Sequence, residues 1–191
     1  RVIYIPGNHD EFLADFYGTN ATPAWQLTPT GITGATGDNY AAGGATIEPG
    51  PGFPPSPPTV FAPSITDQIN AYLAANGGQA DPDALYTVWG GANDLFFNIN
   101  GATTQDQFLG AAAAEVQLIA TLQNAGARYV LVPTLPDIGL TPFGLSQGAA
   151  GSAGLTQLSA GYNATLFGGL QAAGLRVIPL DVFDFLHEIT A

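Results

Sequence analysis

Two short stretches place side chains capable of chemistry at the ends of probable strands. RVIYIPGNHDEF stops an apolar run at Pro6-Gly7 and delivers Asn8, His9, Asp10 and Glu11 in a row. Such a row could ligate a metal ion or supply a general base. DALYTVWGGANDLF ends a second apolar run at Gly90-Gly91 and presents Asn93 and Asp94. The Asn93 side-chain amide is a hydrogen-bond donor at that strand end, and the backbone N–H of Gly43 in NYAAGGATI is one that a ligand can approach closely because no side chain intervenes. In DFLH, Asp184 and His187 stand three residues apart, so both lie on one helix face and an Asp-oriented imidazole is geometrically available.

Each of these has a plainer reading. His9 reads as an exposed or capping residue at a strand end, His187 as a partly exposed helix residue and Gly43 as a tight-turn glycine. Asp94 reads as a brace or cap for its loop. Ser56, Ser64, Ser146, Ser152 and Ser159 offer hydroxyls, but none sits in a strand-turn-helix elbow and no G-x-S-x-G occurs. Ser64 reads as a helix cap.

The elements that must position these residues alternate. Val2 to Ile5 reads as a short buried strand, followed by a helix in DEFLADFYG. Residues 19–37 are rich in Thr, Gly and Pro and read as loop, as does EPGPGFPPSPPTVFAP. SITDQINAYLAANGG predicts a helix ending at Gly77-Gly78, LYTVWGG a strand and TTQDQFLGAAAAEVQLIATLQNAG a long amphipathic helix. RYVLVPTLP and LRVIPLDV read as strands on either side of a helix in GLTQLSAGYNATLFGGLQAAG, and FDFLHEI as a last short helix. The strands are continuous apolar runs, which suits a parallel sheet buried between two helix layers. Ligands in that architecture sit outside the carboxyl ends of the strands, where PGNHD, GGANDL and PTLPD fall.

Composition narrows the function. With 191 residues and 46% apolar side chains, the chain is long enough for one domain with a real core. Only Arg1, Arg128 and Arg176 are basic, there is no Lys, and the net charge is -12. That excludes the basic stripe a nucleic-acid binder needs and a basic contact with anionic membrane. No apolar run reaches the roughly 18 to 20 residues of a membrane span. The lack of Cys removes thiolate chemistry and fits an exported protein. The chain holds no Met, so Arg1 is not a translation start and further sequence is expected upstream.

NYAAGGAT, SITDQINAYLA, DALYTVWGGANDLF, YVLVPTLPDIGLTP and VIPLDVFDFLHEI resemble the GDSL, or SGNH, hydrolases, and in particular the esterase and lipase passenger domains of bacterial autotransporters. The resemblance runs from about Gly31 to the end of the chain. It implies a three-layer, flavodoxin-like α/β fold with a five-stranded parallel sheet, hydrolysis of carboxylic esters, no cofactor and no metal, and a secreted or surface-displayed bacterial protein. It implies oxyanion donors at Gly43 and Asn93. The family's G-D-S-L block is absent; if the first strand plays its usual part, His9 occupies the nucleophile's place. DFLH matches the spacing of the family's D-x-x-H, but Glu188 follows where the family has Pro, and the segment falls in the helix after the last strand. RVIYIPGNHDEF is similar to the G-N-H-[DE] block of metallophosphoesterases, whose other metal-binding blocks are missing here. The simplest account is a hybrid, with a phosphoesterase-like strand and helix over residues 1–18 joined to a GDSL-like remainder that lacks the last block.

The expectation is therefore a single domain over 1–191 acting as a GDSL-type ester hydrolase on small esters. Water activated by His9 or His187 would be the nucleophile, with a rate lowered by the missing serine. The alternatives are a catalytically silent scaffold and, less favoured, a metal-dependent phosphoesterase. Without the last block, apolar surface near VIPLDVF is expected to stay open and to drive self-association.

Overall fold

A computed structural model describes residues 2–5, 18, 21–28, 31–34, 37–50, 52–53 and 62–190. Four strands form a parallel sheet: β1 (Val2–Ile5), β4 (Leu85–Val88), β5 (Tyr129–Pro133) and β6 (Ile178–Leu180), in the order β1-β4-β5-β6. The register pairs Ile5 with Val88, Thr87 with Leu131 and Leu131 with Ile178. A separate antiparallel hairpin joins β2 (Trp25–Thr28) to β3 (Gly31–Gly34). That hairpin corrects the loop reading of residues 19–37. The period-two pattern of WQLT and GITG is only four residues long on each side, and the Pro and Gly around it masked it.

The helices are α1 (Ile65–Ala75), α2 (Ala92–Ile99), α3 (Gln105–Asn124), α4 (Pro142–Ser146), α5 (Gly148–Ala172) and α6 (Val182–Thr190). A 3-10 turn at Ile138–Leu140 precedes α4. Helix starts follow local chemistry. Ser64 caps α1 in a reciprocal capping box with Asp67, and Thr104 caps α3 in the same way with Gln107. The crossovers between successive sheet strands step in one direction, so right-handed connections put α1, α3 and α5 on one face. Packing agrees, with α3 seated against α1 and α5.

That face holds the core. Tyr86, Val88, Val130 and Val132 point into it and are fully buried, beneath Ile65, Ile69 and Tyr72 of α1, Phe108, Ile119 and Leu122 of α3, and Tyr162, Leu166 and Leu170 of α5. The opposite face is open at its far edge, where Tyr129, Ile178 and Leu180 are 51%, 44% and 48% exposed. The helix expected in DEFLADFYG lies outside the described residues apart from Gly18, as do His9 and the rest of GNHDE. The α/β parallel-sheet architecture expected from the sequence is present, with four sheet strands among the described residues.

Candidate functional site

The carboxyl end of β4 runs into Gly90-Gly91 and then directly into α2. Both glycines sit at close approaches. A Cβ on Gly90 would collide with the side chains of Ile47 and Ile65. Gly91 has φ +92°, and a Cβ there would lie 2.5 Å from Cζ of the buried Tyr162. The left-handed conformation at Gly91 turns the chain so that Asn93 and Asp94 fall in the first turn of α2.

Those two side chains tie this loop to the YAAGGATI loop. Asn93 Nδ2 donates to the Ala45 carbonyl at 2.7 Å, and the Ile47 N–H donates to both Asp94 oxygens at 3.2 and 3.3 Å. From the other side, the Thr46 carbonyl accepts the Ile65 N–H and the Ile47 carbonyl accepts from Thr66, fixing the same loop to the start of α1. Gly43 is exposed in the turn closed by the Ala45 N–H on the Ala42 carbonyl, and Gly44 takes φ +84° beside it. The two expected oxyanion donors are thus carried by loops bonded to each other. One Nδ2 proton of Asn93 is spent on Ala45, which leaves the second for a ligand.

Burial pushes the Asp94 carboxyl up to about 6, opposed by the Ile47 N–H and helped by the charge of Glu48. Behind it, Glu115 of α3 is fully buried and accepts from the Tyr162 hydroxyl at 2.7 Å. Burial pushes Glu115 up to about 8, so it is neutral at pH 7. Its second oxygen has no hydrogen-bond partner. Sequence reasoning passed over this residue. The signal was there: Glu115 is the lone carboxylate on the stripe Phe108, Ala111, Ala112, Val116, Ile119 that α3 buries.

His187 does not pair with Asp184. Its Nε2 lies 2.9 Å from Oδ2 of Asp137, a fully buried carboxylate that follows β5 in PTLPD. The Asp184 N–H instead bonds Asp181 Oδ1 at the start of α6. Spacing on one helix made Asp184 look like the partner; a residue 50 positions upstream was not visible as one. Asp137 also accepts from the Gly139 N–H and from Thr156, so its carboxylate is held by three elements. An imidazole that gives its Nε2–H to a fixed carboxylate keeps the Nδ1 lone pair as a base. The His187 side chain is 46% exposed, so water reaches it.

The serines have structural duties. Ser64 caps α1, Ser146 and Ser152 donate to backbone carbonyls, and buried Ser159 accepts from the Ile138 N–H. Ser56 lies outside the described residues. Among the described residues, no three His, Asp or Glu side chains converge as a metal site. No helix among them is long and apolar enough to cross a membrane.

A family model, GDSL-like Lipase/Acylhydrolase, matches residues 7–189. The chain belongs to that family. The match takes in GNHDEF of the opening stretch as well as the GDSL-like remainder. "Lipase 1" of Photorhabdus luminescens is 37% identical over 132 residues, 66% of this chain and 19% of that protein. "Esterase EstA" of Pseudomonas aeruginosa is 43% identical over 116 residues, 60% of this chain and 17% of its own length. An uncharacterised protein from the trpE-trpG intergenic region of Pseudomonas putida is 35% identical over 167 residues, 81% of this chain and 26% of that protein. The chain therefore aligns with about a fifth to a quarter of each of these curated relatives.

Proposed function

We propose that the chain hydrolyses small carboxylic esters at the carboxyl end of β4, with the Gly43 N–H and the Asn93 side-chain amide as oxyanion donors. The observation that carries this is the pairing of the two loops through Asn93 and Asp94, 48 and 47 residues from their partners. It fixes a glycine turn and a side-chain amide beside one another, as polarising an ester carbonyl requires. Family membership supplies the reaction class, and the names of the lipase and esterase relatives agree with it.

No serine among the described residues stands in a nucleophile elbow and no G-x-S-x-G occurs, so water is the nucleophile in this reading. It is activated by His187, whose imidazole Asp137 holds, or by His9. An oxyanion site without its serine retains about 10³- to 10⁴-fold catalysis over water, so turnover is slow. Hydrolysis of a p-nitrophenyl ester by the purified chain tests this, beside His9→Ala, His187→Ala and an EDTA-treated sample. A basal rate that one histidine variant lowers and EDTA leaves alone supports the reading. An EDTA-sensitive rate favours a metal-dependent reaction at GNHDE, and no rate above blank leaves a silent scaffold.

The same reading makes the chain an exported bacterial passenger domain and a hybrid at its first strand, as the Cys-free acidic composition and the GNHD motif suggest. It also predicts self-association through the open sheet edge. Phe185 and Ile189 of α6 are 56% and 62% exposed, and together with Ile178 and Leu180 they add apolar area at that end of the molecule.

A further inference from the structure

A cleft of about 360 Å³ opens between the Thr46–Gly50 segment and the first turns of α2 and α3. Its apolar walls include Phe97, Phe108 and Ala111; its polar ones include Asp94, Glu48 and Thr103. That size, and a mostly apolar lining with a few convergent polar groups, are those of a small-molecule site. Three features say what it would hold.

First, the Asp94 carboxylate is under-paired for its burial. It receives the Ile47 N–H, shared between its two oxygens at 3.2 and 3.3 Å, and its own backbone N–H, while an ionised carboxylate offers about four acceptor positions. Secondly, Thr103 Oγ1 is buried in the cleft lining with no hydrogen-bond partner. Thirdly, among the described residues no side chain supplies a counter-cation there. There is no Lys, and Arg128 and Arg176 precede β5 and β6, at the opposite end of the sheet from the loop that follows β4. A carboxylate withdrawn from water without a positive partner favours any cation that fits beside it. Two carboxylates are too few for an all-protein metal cage. Phenyl rings at the wall are the partners of an organic cation.

We propose that this cleft binds a small organic monocation, an ammonium or quaternary ammonium group on a short alkyl body, with its charge at Asp94 and its methyl groups against Phe97 and Phe108. Glu48 at the rim adds to the attraction. Thr103 donates to, or accepts from, a hydroxyl on the ligand. The cleft takes this ligand whether or not the ester site turns over, since none of its lining groups is an oxyanion donor or a base. Asp94 is pushed up to about 6, so affinity should fall as acid neutralises it. Among the described residues, the charged or titratable groups facing it are Glu48, Glu115 and Tyr162. Glu115, pushed up to about 8, stays mostly neutral across the tested range.

Calorimetric titration of the full chain with choline chloride and with its neutral isostere 3,3-dimethyl-1-butanol, at matched ionic strength, decides this. Choline should bind at least tenfold more tightly than the alcohol at pH 7.5. It should lose about tenfold between pH 7.5 and pH 5, as a group near 6 goes from ionised to about one-tenth ionised. Asp94→Asn should cut choline affinity about tenfold and leave the alcohol unchanged. Ala102→Leu, which narrows the cleft, should weaken both. If Asp94→Asn does not fold, the pH series and Glu48→Gln at the rim, expected to lower choline affinity two- to threefold, carry the test. Equal affinities for the two ligands, choline binding insensitive to pH, or no choline heat up to about 10 mM overturns the proposal.

Discussion

Asn93 has two protons on its amide nitrogen and uses one to hold the neighbouring loop at Ala45. That division predicts two separable effects of Asn93→Ala. Ester turnover should fall by about 10²- to 10³-fold, as when an oxyanion donor is removed elsewhere. Stability should fall by only about 1 kcal/mol, the net worth of the Ala45 bond. Comparing kcat with the urea midpoint of the same variant separates them. Glu115 makes a prediction of the opposite kind. Its folded-state value, near 8, lies above its ordinary 4.5, so the folded state holds a proton that the unfolded state releases. Its contribution to stability is therefore fully present below about pH 4.5 and is lost as pH rises towards 8, at about 1.4 kcal/mol per unit of displacement. Glu115→Gln keeps an acceptor for Tyr162 and cannot ionise. Its unfolding midpoint should gain on the unsubstituted chain between pH 4.5 and 8; parallel profiles would contradict the assignment.

At the scale of elements, the GGAND loop is held from beneath by one ring. Gly91 at φ +92° sits against Tyr162, whose hydroxyl is fixed on Glu115. Gly91→Ala adds a methyl where no space exists and a side chain where the backbone disfavours one; each effect costs about 1 to 3 kcal/mol. Its thermal midpoint should drop by more than that of Gly110→Ala, where a Cβ meets nothing and the helix gains propensity. Equal midpoints would show that the loop yields. The sheet strands and helices α1, α3 and α6 were legible because their apolar patterns are clear and a cap such as Ser64 is local, whereas α2 and α4, eight and five residues long, were not. Nor was the β2–β3 hairpin, since four-residue strands carry too little pattern. The start of α5 was hidden by GAAGSAG, whose glycines argue against a helix that packing on α3 nevertheless imposes. Gly43, Asn93 and His187 could be picked out by residue type, but Asp137 as the partner of His187, and the Glu115–Tyr162 pair, needed the fold, because contacts across 47 and 50 residues leave no spacing to read.

At the scale of the molecule, one face of the sheet carries the core and the far edge of the other is apolar and open. Isolated exposed apolar residues are ordinary; Ile178 and Leu180 lie two apart on the edge strand β6, and Phe185 and Ile189 follow in α6. Light scattering should show a mass that rises with concentration, and Leu180→Asp with Ile189→Asp should return it to that of a 19.6 kDa monomer. A monomeric mass at every concentration would contradict this. The central claim concerns the paired loops at the carboxyl end of β4, and the most direct test is the rate of p-nitrophenyl ester hydrolysis by the chain and by Asn93→Ala, each normalised to folded protein. A measurable rate that falls about a hundredfold in the variant is the predicted result. A rate equal in the two proteins would show that Asn93 takes no part in hydrolysis.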